Sequence, residues 1–118
     1  MNEQMKVLLF ANTDWYLYNF RLPLARALRA CGVEVVLLSP PGEYTAHLEA
    51  EGFHWLSFPL RRKSMNPLIE LGTILRLARL YDRERPDLVH HFTIKCVLYG
   101  SLAGRLTRIP SIVNSVTG

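Results

Sequence analysis

Residues 86–95 read Pro-Asp-Leu-Val-His-His-Phe-Thr-Ile-Lys. The stretch gathers the side chains best suited to handle a proton or an anion. Imidazole donates or accepts near neutral pH, so His90 and His91 form the candidate catalytic pair. Successive residues of a strand project to opposite faces, and the two rings cannot hold one metal while the strand stays regular. No other set of histidine, cysteine or carboxylate has zinc-type spacing, and neither a metal nor a cofactor is expected. A histidine in this position can equally be a hydrogen-bonded group packed under a helix. Thr93 and Lys95 fall at the amino end of the following helix, where an anion such as a phosphate or a sugar acid would be favoured. An exposed surface lysine is the plainer alternative.

The elements that must position these groups are legible as alternating apolar runs. Val7–Ala11 and Val33–Leu38 read as strands buried on both faces. Between them Phe20–Cys31 reads as a helix, with Leu24, Leu28 and Cys31 on one face, Pro23 in its first turn and Gly32 at a left-handed stop. A short helix over 43–51, ended by Gly52, leads to a third strand at Phe53–Phe58. Asn66 and Pro67 open a helix that runs to about Glu84. Leu68, Leu71, Leu75 and Ala78 line one side of it and Arg76, Arg79 and Arg83 another. A fourth strand at Leu88–His91, a helix from about Lys95 to Thr107 and a fifth strand at Ser111–Ser115 complete the pattern. Strands alternating with helices at this spacing predict an α/β fold, a doubly wound parallel sheet of Rossmann-like type. Residues 1–118 stop directly after a strand, so they are expected to be a domain incomplete at its carboxyl end, the front of a larger polypeptide.

Ligands of such sheets bind outside the carboxyl ends of the strands. That rule selects the loops 12–15, 39–42, 90–93 and 115–118; the candidate substrate-binding residues in or next to them are Asn12, Asp14, Trp15, Thr93, Lys95, Asn114, Thr117 and Gly118. The first loop lacks glycine from Ala11 to Arg21, which excludes a dinucleotide-binding turn; no phosphate-loop lysine occurs either. Trp15, Tyr16 and Tyr18 present aromatic faces suited to sugar rings or lipid headgroups, or to packing against neighbouring helices. Arg61, Arg62 and Lys63, with the later arginine stripe, are either a solvated face or a contact for anionic lipid or a lipid pyrophosphate.

The formal charge is +4, from 14 Lys and Arg against 10 Asp and Glu. That balance favours anionic partners without arguing for nucleic acid, which is not expected. Cys31 and Cys96 both read as reduced, buried thiols of a cytosolic protein. The apolar run near the amino terminus is too short for a signal core or a membrane span, which places the chain in the cytoplasm by default; the basic stretches add the option of a peripheral position at the cytoplasmic face of the membrane.

The strings VHHFTIKCVLYGSLAGRL, IPSIVNSVTG and NFRLPLARALRACGVEVVLLSP resemble the amino-terminal domain of retaining glycosyltransferases of family 4, in the subgroup that builds bacterial polysaccharides and lipid-linked glycans. The resemblance spans essentially the whole chain. It implies a GT-B enzyme in which this domain holds the acceptor, while a second domain, with a pair of glutamates, holds the nucleotide-sugar donor. His90 matches the family's histidine at the end of the fourth strand, with His91, Thr93 and Lys95 beside it. Cys96 stands where the subgroup usually has proline. The wider family's histidine after the fifth strand is replaced by Thr117, and its glycine-rich first loop by residues 12–15. The implied partners are the donor, a lipid-linked or glycan acceptor and an anionic membrane surface. The alternative is a membrane-docking module of a split enzyme, whose partner is a separate donor-domain chain.

Overall fold

The computed structural model describes residues 4–60 and 66–116. Five strands form one parallel sheet: β1 (Lys6–Phe10), β2 (Glu34–Ser39), β3 (His54–Ser57), β4 (Leu88–Phe92) and β5 (Ser111–Ser115), in the order β3-β2-β1-β4-β5. The doubly wound expectation therefore holds. Strand order reverses between β1 and β4, the point at which such sheets open a crevice at their carboxyl ends.

Helices cover both faces. On one side lie α1 (Asp14–Tyr16), a π-turn (Leu17–Arg21), α2 (Leu22–Ala30) and α3 (Thr45–Ala50); on the other lie α4 (Pro67–Glu84) and α5 (Ile94–Leu106). Each face has its own core. Val7, Leu9, Val35, Leu37 and Phe92 pack towards the first set, and Leu8, Phe10, Val36, Leu38 and Val89 towards the second. Continuous burial along β1 and β2 is why those strands read as unbroken apolar runs rather than alternating ones.

The first helical segment starts earlier than the sequence predicts. Thr13 caps it by accepting from the Tyr16 amide at 3.0 Å. Pro23 then governs its course. Its ring would clash with the carbonyl of Asn19 in a regular helix, and the chain answers by widening to the π-turn and breaking helical geometry at Arg21 (φ −118°, ψ −1°). Gly32 takes the left-handed φ of +84° expected at the stop, and Asn66 caps α4 through the Leu68 amide at 3.0 Å. The third strand and the short helix before it are each a little shorter than predicted.

Two expectations are corrected. Of the predicted stripe only Ala78 is buried; Leu68, Leu71 and Leu75 are exposed, at 77%, 51% and 53%, and Thr73, Leu77, Leu80 and Tyr81 complete the buried face of α4. The helix carries two apolar stripes roughly half a turn apart, and the sheet takes the other one. Cys31 is also exposed, because it lies just past the end of α2, while Cys96 is buried as expected.

Gly100 of α5 lies where the His91 ring packs onto the helix, and a Cβ there would overlap that ring. Gly72 of α4 has open space around the same position. Helix propensity alone favours alanine at both by up to about 1 kcal/mol. Gly72→Ala is therefore expected to stabilise the fold by up to about 1 kcal/mol, and Gly100→Ala to destabilise it by about 1–3 kcal/mol through overpacking. Denaturant unfolding of the two variants checks the opposite signs.

Candidate functional site

Strand β4 lies between β1 and β5, with His91 in register with Phe10 and Asn114, and Phe92 in register with Ser115. Alternation along β4 sends Val89 and His91 to the α4–α5 side, and Leu88, His90 and Phe92 to the side of the π-turn and α2. The two imidazoles thus occupy different environments, and the structure separates the predicted pair.

His91 is fully buried. The Tyr81 hydroxyl of α4 lies 2.8 Å from its Nε2, and Asn114 Oδ1 of β5 lies 2.8 Å from its Nδ1. An amide oxygen only accepts, so Nδ1 carries the proton, Nε2 accepts, and Tyr81 donates. Asn114 Nδ2 donates onward to Ser101 Oγ of α5 at 3.0 Å. Burial pushes the His91 pKa down to about 4, against the opposing pull of the Asn114 bond. Both ring nitrogens are committed and the ring has no solvent face. Through these bonds His91 ties α4, β4, β5 and α5 together. Asn114, itself exposed, belongs to the same network, with its amide oxygen and nitrogen both bonded to protein groups.

His90 is half-buried, and its Nε2 lies 2.8 Å from Ser115 Oγ. Its ring stands 4.1 Å from the Phe92 ring, which in turn lies 4.4 Å beneath the Arg21 guanidinium. Burial lowers the His90 pKa first, and the positive charge of Arg21 lowers it further. At neutral pH the ring is a neutral hydrogen-bonding group.

The remaining candidates divide. Asn12 and Trp15 are exposed beyond the end of β1, and Trp15 packs edge-on against Phe20 at 5.3 Å. Asp14 is 5% exposed, and one carboxylate oxygen accepts from the Tyr44 amide at 2.8 Å and the Thr45 hydroxyl at 2.9 Å. Those bonds fasten the loop after β2 to the start of α1. Thr93 precedes α5 with φ +74°, ψ 151°, a backbone region that favours glycine and stores about 1–3 kcal/mol of strain. Lys95 lies in the first turn of α5 with its ammonium 5.6 Å from the Tyr99 ring centre. Burial drives the Cys96 thiol up to about 12, so it is inert at neutral pH. Arg61, Arg62, Lys63, Thr117 and Gly118 lie outside the described residues.

Sequence reasoning missed Arg21, Tyr81 and Ser101, and left Phe92 outside the fourth strand. The available signal for Arg21 was Pro23 two residues on, which disturbs the preceding turn. For Tyr81 it was its phase on α4, on the stripe that includes Leu77.

Residues 6–118 match the family model described as Glycosyl transferase 4-like. An N,N'-diacetylbacillosaminyl-diphospho-undecaprenol alpha-1,3-N-acetylgalactosaminyltransferase of Campylobacter jejuni is 27% identical over 106 residues, covering 90% of this chain and 28% of the relative. Among solved structures, a glycosyltransferase from Rickettsia africae superposes with a TM-score of 0.76 at 16% identity, over 96% of this chain and 30% of that one. MurG of Acinetobacter baumannii gives a TM-score of 0.73 at 24% identity, over 93% of this chain and 34% of that one. The two structures share the fold, and the chain spans about a third or less of all three proteins.

The buried ring of His91 makes stability depend on pH. Between pH 6.5 and about 4 the unfolded chain binds a proton that the folded chain excludes. Stability is complete above this window and falls as pH drops through it, by roughly 3 kcal/mol in total. Unfolding measured from pH 7 to 4 is expected to show this loss, and the His91→Gln variant to lack that component even if less stable throughout.

Proposed function

The chain belongs to the glycosyl transferase 4-like family, and on that premise we propose that it is the acceptor-side domain of a retaining GT-B enzyme. The reaction moves a sugar from a nucleotide-sugar to a lipid-linked glycan acceptor. The acceptor hydroxyl forms a bond to the anomeric carbon, the bond from that carbon to the nucleoside diphosphate breaks on the same face, and the hydroxyl proton leaves with the diphosphate. The Campylobacter relative, whose name describes a diphospho-undecaprenol acceptor, supports the class of acceptor.

The observation that carries this reading is a half-buried, neutral His90 at the carboxyl end of β4, beside the reversal of strand order. A lowered pKa makes it a weak base, so its role is to orient a hydroxyl by hydrogen bonding rather than to remove the proton outright. In this reading the exposed Trp15 and Asn12 meet the acceptor sugar, and the cationic side chains of Lys95, Arg61, Arg62 and Lys63 meet phosphate. The donor is held by a further domain, in the same polypeptide or in a partner chain; co-purification with a donor-domain chain would identify the split arrangement.

Docking of the domain on an anionic membrane is supported by α4. Its exposed Leu68, Leu71 and Leu75 adjoin the Arg76, Arg79 and Arg83 side of the helix, the combination that lies in a lipid interface. Among the described residues no helix is long and apolar enough to cross a membrane.

In the enzyme with its donor domain, His90→Ala is expected to lower kcat/KM about tenfold to a hundredfold, the effect of one lost hydrogen bond in the transition state. Residues 1–118 alone are expected to transfer no sugar; transfer by them would overturn the division of labour. The protein is expected to co-sediment with vesicles rich in phosphatidylglycerol and not with phosphatidylcholine vesicles. Replacing Leu68, Leu71 and Leu75 together with serine should abolish that binding, and unchanged binding would refute the α4 interface.

A further inference from the structure

Arg21 has no place in the reaction as described above, yet its setting is unusual. It closes the π-turn, a helix irregularity frequent at functional sites. Its guanidinium lies 4.4 Å from the Phe92 ring centre and 5.3 Å from that of Tyr16, so two aromatic faces hold it in place. Phe92 is the last residue of β4, which puts the charge at the carboxyl edge of the sheet, beside the strand-order reversal.

Among the described residues no carboxylate pairs with Arg21. Its Nη2 donates to the Tyr16 hydroxyl at 2.8 Å, and its Nε is buried without an acceptor. A guanidinium offers five N–H donors in a rigid fork, so most of this one is unmatched. Leaving a buried donor unsatisfied costs about 1–3 kcal/mol, a cost that an arriving anion would remove. Arg26 and Arg85 differ in this respect: Arg26 pairs with Glu51 at 2.9 Å and Arg85 with Asp82 at 3.2 Å.

We propose that Arg21, clamped over Phe92 beside His90, is a binding site for the diphosphate group of a substrate. This inference rests on the transferase reading, because both substrates of that reaction carry a diphosphate. Phosphate oxygens suit the planar fork bidentately, and a rigid, pre-oriented guanidinium loses little freedom on binding. A lysine could carry the charge and not the fork. Arg21 and His90 thus divide the recognition, one reading the charged end of a substrate and the other a neutral hydroxyl. The charge of Arg21 also disfavours a protonated His90, which keeps that ring free of a competing positive charge.

The test is direct binding of inorganic pyrophosphate, followed through the Arg21 Nε–H and His90 ring resonances, with no sugar transfer involved. Saturable shifts are expected in the wild type, with affinity reduced at least tenfold in Arg21→Met and less in Arg21→Lys; thermal melting confirms that both variants fold. The absence of saturable shifts in the wild type overturns the site, as does Arg21→Met affinity within twofold of wild type. If Arg21→Met does not fold, the Arg21→Lys affinity and the wild-type shifts decide. Competition by farnesyl diphosphate assigns the site to the lipid acceptor, competition by uridine diphosphate assigns it to the donor, and competition by neither overturns it. Pyrophosphate binding that persists in an enzyme without transferase activity would sink the transferase reading alone.

Discussion

Strand β4 is locked on both sides by parallel pairing, to β1 at Phe10 and to β5 at Asn114 and Ser115, and the chemistry of the site follows from that lock. Parallel register sets which residues face which helices, and a slip of one residue would exchange the two faces. His91 would then leave Tyr81 unpaired inside the α4–α5 core and release Asn114, and His90 would lose Ser115. Two adjacent histidines of identical chemistry become a sealed structural group and a half-open polar one purely through the pleat. The neutral state of each ring follows from its surroundings, burial foremost in both cases.

The two edges of the sheet manage charge differently. At the amino edge, Lys6 pairs with Glu84 at 3.1 Å and donates to the Glu84 carbonyl at 2.8 Å, and the Lys6 amide donates to Asp87 at 2.8 Å. These contacts join β1 to the end of α4 and the start of β4, and they serve stability. At the carboxyl edge, Asp14 is consumed by backbone and hydroxyl donors, while Arg21 is steadied by aromatic rings instead of a carboxylate. A cation supported by rings keeps its charge available to a ligand, whereas one paired with a carboxylate is already neutralised. The division between a stability edge and a ligand edge is the one expected of parallel α/β sheets.

Much of the fold was legible because β1 and β2 are buried on both sides and announce themselves as uninterrupted apolar runs, while Gly32, Asn66 and Pro67 mark helix ends by mechanisms that act locally. Periodicity failed on α4 for a physical reason: the helix has two apolar stripes, and the sequence does not say which meets the sheet. Cys31 followed the same logic, apolar by spacing but beyond the last turn of α2. Within the site, the opposite orientation of His90 and His91 was readable from alternation, but their burial was not, since it depends on where Tyr81 and Gly100 land. Arg21 was hidden because a π-turn shifts every later residue off the regular helical phase.

Thr93 shows how these local features depend on one another. Its glycine-like backbone costs about 1–3 kcal/mol, yet it lets α5 begin at Ile94, directly after β4. That short return brings the bare backbone of Gly100 against the His91 ring and places Ser101 within reach of Asn114. The strain at one residue is offset by packing and hydrogen bonds seven and eight residues further along α5. The His91 side of β4 therefore has no slack: ring, glycine and amide fit one another, and substitution at any of them disturbs the rest. The His90 side is built from separate contacts, His90 to Ser115 and Phe92, and Arg21 to Phe92 and Tyr16, and its residues can change one at a time. A rigid side that positions β4 and a less constrained side at the carboxyl edge let one fold carry different sites.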